Sequence, residues 1–195
     1  VDISAPDGTM HELAGLRTAG EVTDKYRMGL NGDTFSVISE SFSGLPGAFG
    51  SWATTLETFS PANPASPAAL GRLALGPGEL LQAARFDGTR AYIATTEQVD
   101  PLWVGDLSDP AHPALAGSAS SPGWVSYLDP LGERLLTLGY VNSQVTVSLF
   151  DVQDPTQPTL LSQVPLGQDY SWSASMYDEQ SLTVLTNIGL ILVPY

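Results

Sequence analysis

The chain contains no cysteine, which removes a disulfide framework, a thiolate metal site and a cysteine nucleophile together. Charge is scarce as well: Asp and Glu number 21 and Lys and Arg 7, only 14% of 195 residues, against about 25% in an ordinary soluble domain. Lys25 is the sole lysine, and His11 and His112 are the only histidines. With a formal charge of −14, the chain cannot neutralise a row of phosphates, and its field repels nucleic acid and anionic lipid. No nucleic-acid partner is expected. No stretch approaches the ~18 consecutive apolar residues of a membrane span, and Val1-Asp2-Ile3 is not a basic-then-apolar leader. The expectation is a soluble mature chain or an excerpt of one, with no membrane span.

What is present is enough to build a core. The apolar fraction is 43%, with 4 Trp, 7 Tyr and 6 Phe, which excludes a disordered acidic tail. The 19 Gly and 15 Pro are spread along the whole length, so the chain is cut into many short elements and long helices are not expected. One all-β domain fits that punctuation.

A period near 45 residues decides the architecture. Leu102-Trp103-Val104-Gly105-Asp106-Leu107-Ser108-Asp109-Pro110-Ala111-His112-Pro113 returns as Val147-Ser148-Leu149-Phe150-Asp151-Val152-Gln153-Asp154-Pro155-Thr156-Gln157-Pro158. A weaker copy runs from Thr58 to Pro67, and a trace opens the chain at Val1-Asp2-Ile3-Ser4-Ala5-Pro6. Each copy reads as an apolar strand ended by an Asp-x-x-Asp/Asn-Pro turn, where an Asx side chain bonds the backbone two residues on and proline removes a ladder donor. Two further strands follow in each repeat. They are expected at 80–86 and 91–95 around Asp87-Gly88-Thr89-Arg90, and at 124–128 and 134–140 around Asp129-Pro130-Leu131-Gly132-Glu133. Four strands per period are the blade of a β-propeller. The expected blades span about 23–75, 79–119 and 124–164. A fourth is shared between three strands in 171–195 and residues 1–17, and the set closes alone or forms part of a larger propeller.

These residues resemble the secreted bacterial β-propeller-domain proteins, distant relatives of the WD-repeat propellers, along essentially the whole chain. The most specific segments are Val22-Thr23-Asp24-Lys25-Tyr26-Arg27-Met28, Phe35-Ser36-Val37-Ile38, Leu102 to Leu115, and Pro122-Gly123-Trp124-Val125-Ser126-Tyr127-Leu128-Asp129-Pro130. Val147 to Pro158 and the tail from Ser171 to Tyr195 are similar too. The Asp-Leu-Ser-Asp-Pro unit is also similar to extracellular repeats with a Leu-Val-Ile-Val-Asp consensus. The resemblance implies an exported or surface-associated propeller, secreted or periplasmic in bacteria, with no established reaction and no catalytic residues to carry over. It also implies an internal portion of a longer propeller. Asp178-Glu179-Gln180-Ser181 stands where the family tends to carry Asp-His-Lys-Ala.

Candidate sites are few. His112 falls in the Asp-Pro-Ala-His-Pro turn, where its repeat partners are Ser66 and Gln157, and reads as a turn residue. His-Glu-x-x-His and Gly-x-Ser-x-Gly are absent. Asp106 with Asp109, and Asp151 with Asp154, offer two carboxylates per loop; calcium wants more ligands, and turn capping explains both pairs. No metal, cofactor or catalytic residue is assigned. Trp124 opens an inner strand, and Tyr170 and Trp172 fall near the same place one repeat later, close to the expected mouth of the central channel. They read either as packing between blades or as a partner-binding surface. Three roles remain: a non-enzymatic scaffold holding a protein or glycan, a carbohydrate-active hydrolase or lyase with channel-facing carboxylates, or a structural piece pairing with further propeller blades through open edges.

Overall fold

The computed structural model describes residues 1–44, 50–75, 78–96, 101–121, 123–178 and 181–195, without the side chains of Pro101 and Met176. Three four-stranded antiparallel sheets follow one another along the chain. Blade 1 comprises β1 (Met28–Asn31), β2 (Thr34–Ser43), β3 (Ser51–Ser60) and β4 (Ala68–Ala74). Blade 2 comprises β5 (Leu80–Asp87), β6 (Arg90–Thr96), β7 (Pro101–Asp106) and β8 (Ala114–Ser120). Blade 3 comprises β9 (Trp124–Leu131), β10 (Arg134–Val141), β11 (Gln144–Asp151) and β12 (Thr159–Pro165). In each, neighbours in sequence are neighbours in the sheet.

The first two strands of every blade are joined by a two-residue turn led by a glycine at positive φ: Gly32 (53°), Gly88 (57°) and Gly132 (69°). Such turns match the twist of the flanking strands, and glycine reaches their left-handed backbone without a Cβ penalty. In blade 3 this shortens the expected five-residue connection. Strand β9 continues through Asp129 and Pro130 to Leu131, and Pro130 pairs with Leu135. The proline is tolerated because β9 lies at the sheet edge. In blade 1 the inner strand starts late, at Met28, because Asp24 caps a 3-10 turn over Lys25–Arg27.

The Asp-x-x-Asp-Pro segment forms the turn between third and fourth strands. Asp106 Oδ1 accepts the Ser108 N–H at 2.8 Å, and Asp109 Oδ1 accepts that of Ala111 at 3.0 Å. Asp151 and Asp154 repeat this with Gln153 and Thr156, both at 2.9 Å. In blade 1 the same two positions are held by Ser60 and Asn63, which accept from Ala62 and Ala65. In each pair, one oxygen of every carboxylate caps the turn.

These caps set the acid stability. The carboxyls of Asp106 and Asp154 lie below the ordinary 3.8, Asp106 through the Ser108 N–H and Asp154 through the Thr156 hydroxyl and N–H. Asp109 is lowered too, mainly by His112, whose Nδ1 lies 2.8 Å from Oδ2. Asp2 and Asp7 are lowered by the Ser4 and Thr9 N–H groups. A carboxylate with a depressed folded pKa contributes stability above its unfolded value and loses it as pH falls toward the folded one. Asp129 has the opposite sign, since burial raises its carboxyl; it favours the fold at low pH and loses that contribution as pH rises through its folded value. Five against one, the melting temperature is expected to hold from neutral pH down to about 5 and to fall below about 4. Asp106→Asn and Asp109→Asn should keep the turn, as Asn63 does in blade 1, and flatten that acid slope in a pH series of thermal melts.

Successive blades pack face to face. Ile38 and Leu56 of blade 1 meet Leu81, Ala84 and Ile93 of blade 2 in one buried cluster. Tyr92, Leu102 and Val104 of blade 2 meet Val125, Leu135 and Phe150 of blade 3 in the next. Polar clasps recur at the same joints. The Glu40 carboxylate accepts the Leu81 N–H at 3.0 Å, and Gln82 Oε1 accepts the Val125 N–H at 2.7 Å. At the rim, the turn of each following blade lies against a glycine of the preceding outer strand. A Cβ on Gly71 would stand 2.5 Å from the Pro110 carbonyl oxygen, and one on Gly117 2.5 Å from that of Thr156. Thr58 Oγ1 completes the first seat by donating to Pro110 O. Arg90, on the blade 2 hairpin, donates to Val152 O at 2.7 Å in blade 3.

The fourth blade is less than expected. Among the described residues, 171–173 have no strand partner and run into a 3-10 turn over Ala174–Met176, capped by Ser173, in place of the strand expected across 171–177. Beyond it, among the described residues, β13 (Thr183–Leu185) and β14 (Leu190–Leu192) pair only with each other. Among the described residues, 1–17 do not join them: Asp2 bridges His11, and the following segment bridges blade 1 through Glu21 and Glu40. The departure at Asp178-Glu179-Gln180-Ser181 and the residue Pro122 lie wholly or partly outside the described residues.

Candidate functional site

Trp124, Tyr170 and Trp172 lie at one end of blade 3. Trp124 opens β9 opposite Tyr140, next to the β10–β11 turn at Asn142 and Ser143. Tyr170 and Trp172 flank Ser171, which is fixed to that same turn. Its hydroxyl accepts the Val145 N–H at 2.8 Å and donates to Leu166 O at 2.6 Å, and its N–H donates to Ser143 O. Ser171 is buried while the rings on either side of it are exposed. Trp124 is 45% exposed, Tyr170 74% and Trp172 53%. Among the described residues the three rings share an end of the blade without stacking on one another.

A second cluster, not singled out by sequence, occupies the inner strands nearer the opposite hairpins. Asp24 Oδ1 accepts the N–H groups of Tyr26 and Arg27, and Oδ2 accepts from Arg27 Nε at 2.9 Å. Arg27 is buried, with Nη1 3.7 Å from Glu40 Oε2. Tyr26 is thereby held against blade 2, where the Arg85 guanidinium lies 4.0 Å from its ring centroid and 5.7 Å from that of Tyr127. The two tyrosines meet edge to face at 6.3 Å. Arg85 Nη2 stands 4.0 Å from Asp129 Oδ1, too far for a hydrogen bond. Burial pushes the Asp129 carboxyl up, and Arg85 offsets only part of that. Beside this group, a cavity of about 370 Å³ opens between β1 and β5, with Lys25, Tyr26 and Arg85 in its wall.

A signal for this cluster exists in the sequence once blades are aligned on their hairpin glycines. Three residues before Gly32, Gly88 and Gly132 stand Gly29, Arg85 and Asp129. The same inner-strand position thus carries no side chain, a cation and an anion in successive blades. A Cβ on Gly29 would lie 2.7 Å from Phe86 Cβ, so the missing side chain is what lets the two inner strands approach there.

Other acids of the inner region are engaged. Glu79 is buried and accepts from Thr95 Oγ1 at 2.5 Å and from Trp103 Nε1 at 3.3 Å. Among the described residues no group of three or more His, Cys, Asp or Glu side chains could hold a metal ion, and no helix is long and apolar enough to cross a membrane.

Consecutive four-stranded antiparallel sheets, packed face to face and written in one 45-residue repeat, define a β-propeller. The chain belongs to the β-propeller domain family, whose model matches residues 2–195. It is 35% identical over 120 residues to an uncharacterised protein of Archaeoglobus fulgidus, covering 61% of this chain and 19% of that one. It is likewise 35% identical over 106 residues to an uncharacterised protein of Methanocaldococcus jannaschii, covering 53% of this chain and 17% of that one. The chain thus aligns with less than a fifth of the length of either relative.

Proposed function

We propose that the chain is a non-enzymatic binding module of an exported or cell-surface propeller, holding a protein or glycan partner at the β10–β11 end of blade 3. The observation that carries this reading is the outward presentation of Trp124, Tyr170 and Trp172 around a pinned Ser171. Large rings of this kind give contact area at little entropic cost and are enriched where binding energy concentrates. The net charge of −14 turns anionic polymers away from that face and leaves neutral glycans and neutral or basic protein segments as its partners. Export is supported by the family resemblance alone.

Glycan and peptide arrays at low salt test the reading. The wild-type chain is expected to retain a restricted set of ligands, and Trp124→Ala with Trp172→Ala to lose them by at least about tenfold, the scale of a central aromatic contact. Retention by the double variant equal to wild type would defeat it. The hydrolase or lyase alternative draws on Asp129, the carboxyl among the described residues whose pKa is raised, as a general acid requires. It would need a second carboxylate across the scissile bond. Release of reducing sugar by the wild type and not by Asp129→Asn would favour it over the binding module.

A further inference from the structure

The geometry points to a second binding site: the cavity between β1 and β5 takes a carboxylate-bearing ligand of monosaccharide size, gripped by the Arg85 guanidinium. This deepens the binding-module reading and rests on it, but uses the opposite end of the inner strands. Arg85 is the central observation. Its position is fixed by stacking on Tyr26 at 4.0 Å and by the Tyr127 ring beyond. Yet among the described residues it makes no hydrogen bond, and its one ion pair is at 4.0 Å. A guanidinium carries five N–H donors in a planar fork that matches a carboxylate. Held by rings with that fork unspent, it is organised in advance for such a group, and little ordering cost remains at binding.

The surroundings agree in charge and size. Two of the chain's seven cationic side chains, Lys25 and Arg85, line the cavity, and among the described residues no Asp or Glu does. In a chain with 21 acids and 7 cations such a lining is unusual, and the Asp129 carboxylate stands 4.0 Å from Arg85. Asn31 and Ser36 add side chains able to bond hydroxyls, and Leu30 and Phe86 add apolar wall. About 370 Å³ lies at the lower end of small-molecule pockets, which suits one sugar ring or a short organic acid. The shared chemistry is the carboxylate; its carrier is a uronic acid or a non-sugar acid.

Isothermal titration calorimetry of the whole chain against galacturonate, succinate and galactose tests the proposal. Galacturonate is expected to bind and galactose not. Arg85→Met is expected to weaken binding at least about tenfold, the scale of a lost charge-assisted bond. Succinate binding as well would assign the cavity to carboxylates at large, and galacturonate alone to acidic sugars; either outcome supports the site. Lys25→Met, at an exposed position, is expected to cost about threefold and to reduce the salt dependence, so a poorly folding Arg85 variant does not end the test. Equal binding of galactose, no binding of either acid, or unchanged affinity in both variants overturns it. The arrays read the Trp124 end separately. Array capture that depends on Trp124, with no acid bound here, would sink this site and leave the binding module standing.

Discussion

Gly117→Val is expected to lower the melting temperature by roughly 6–12 °C, from a cost of about 3 kcal/mol at about 2–4 °C per kcal/mol for a chain of this size. The reason is local and severe. The Cβ would stand 2.5 Å from Thr156 O and 2.6 Å from Pro155 O, both backbone atoms of the next blade's turn. Neither can swing aside as a side chain end would, because Asp154 fixes that turn with its own hydrogen bonds. The two blades must then separate at the rim. Ser162 is the internal control: it stands at the same repeat position on β12, is exposed, and carries a side chain already. Ser162→Val is expected to stay within about 0.5 kcal/mol. Thermal melts followed by circular dichroism compare the two, and equal shifts would mean that Gly117 is not a seat.

Phe150→Ala should destabilise the chain by about 3–5 kcal/mol, the range for deleting a buried aromatic. Phe150 has no exposed surface and packs across the joint of blades 2 and 3 against Tyr92, Leu102 and Leu135. The void cannot collapse easily, since both walls are rigid sheets. Phe42→Ala provides the contrast. Phe42 is half exposed and touches Trp52 within its own sheet, so its loss is expected to cost about 1 kcal/mol or less. Urea unfolding separates these outcomes, and a loss under about 1 kcal/mol at Phe150 would contradict a joint packed as described.

The blades were legible because their signals are local. Asp106, Asp109, Asp151 and Asp154 bond within two residues of themselves, and Gly88 and Gly132 set hairpins within four, so sequence spacing alone places them. The extent of β9 departs from the sequence expectation at Pro130, where edge position rather than composition decides. The strand expected over 171–177 is absent for a related reason: among the described residues no strand pairs with it. Trp124, Tyr170 and Trp172 could be picked out by type and phase. Arg85 and Asp129 share one repeat position, three residues before the hairpin glycines, but their meeting as opposite charges follows only from the packing of two inner strands. Tyr26 reaches them from a 3-10 turn that depends on Asp24. That approach leaves no periodic trace.

The clasp made by Arg90 has a mechanical consequence. It spans from blade 2 to the Val152 carbonyl of blade 3, whereas Arg134, its counterpart one repeat on, folds back to Asp151 of its own sheet at 2.6 Å. Among the described residues blade 2 is therefore clasped on both flanks to complete blades, while the far side of blade 3 meets the segment holding Leu166 and Val193. In an array joined solely through nearest neighbours, stability is shared like tension along a row of linked cars. Opening begins at the outer units and works inward, and the amides of β6 and β7 should be the last to exchange their hydrogens with solvent.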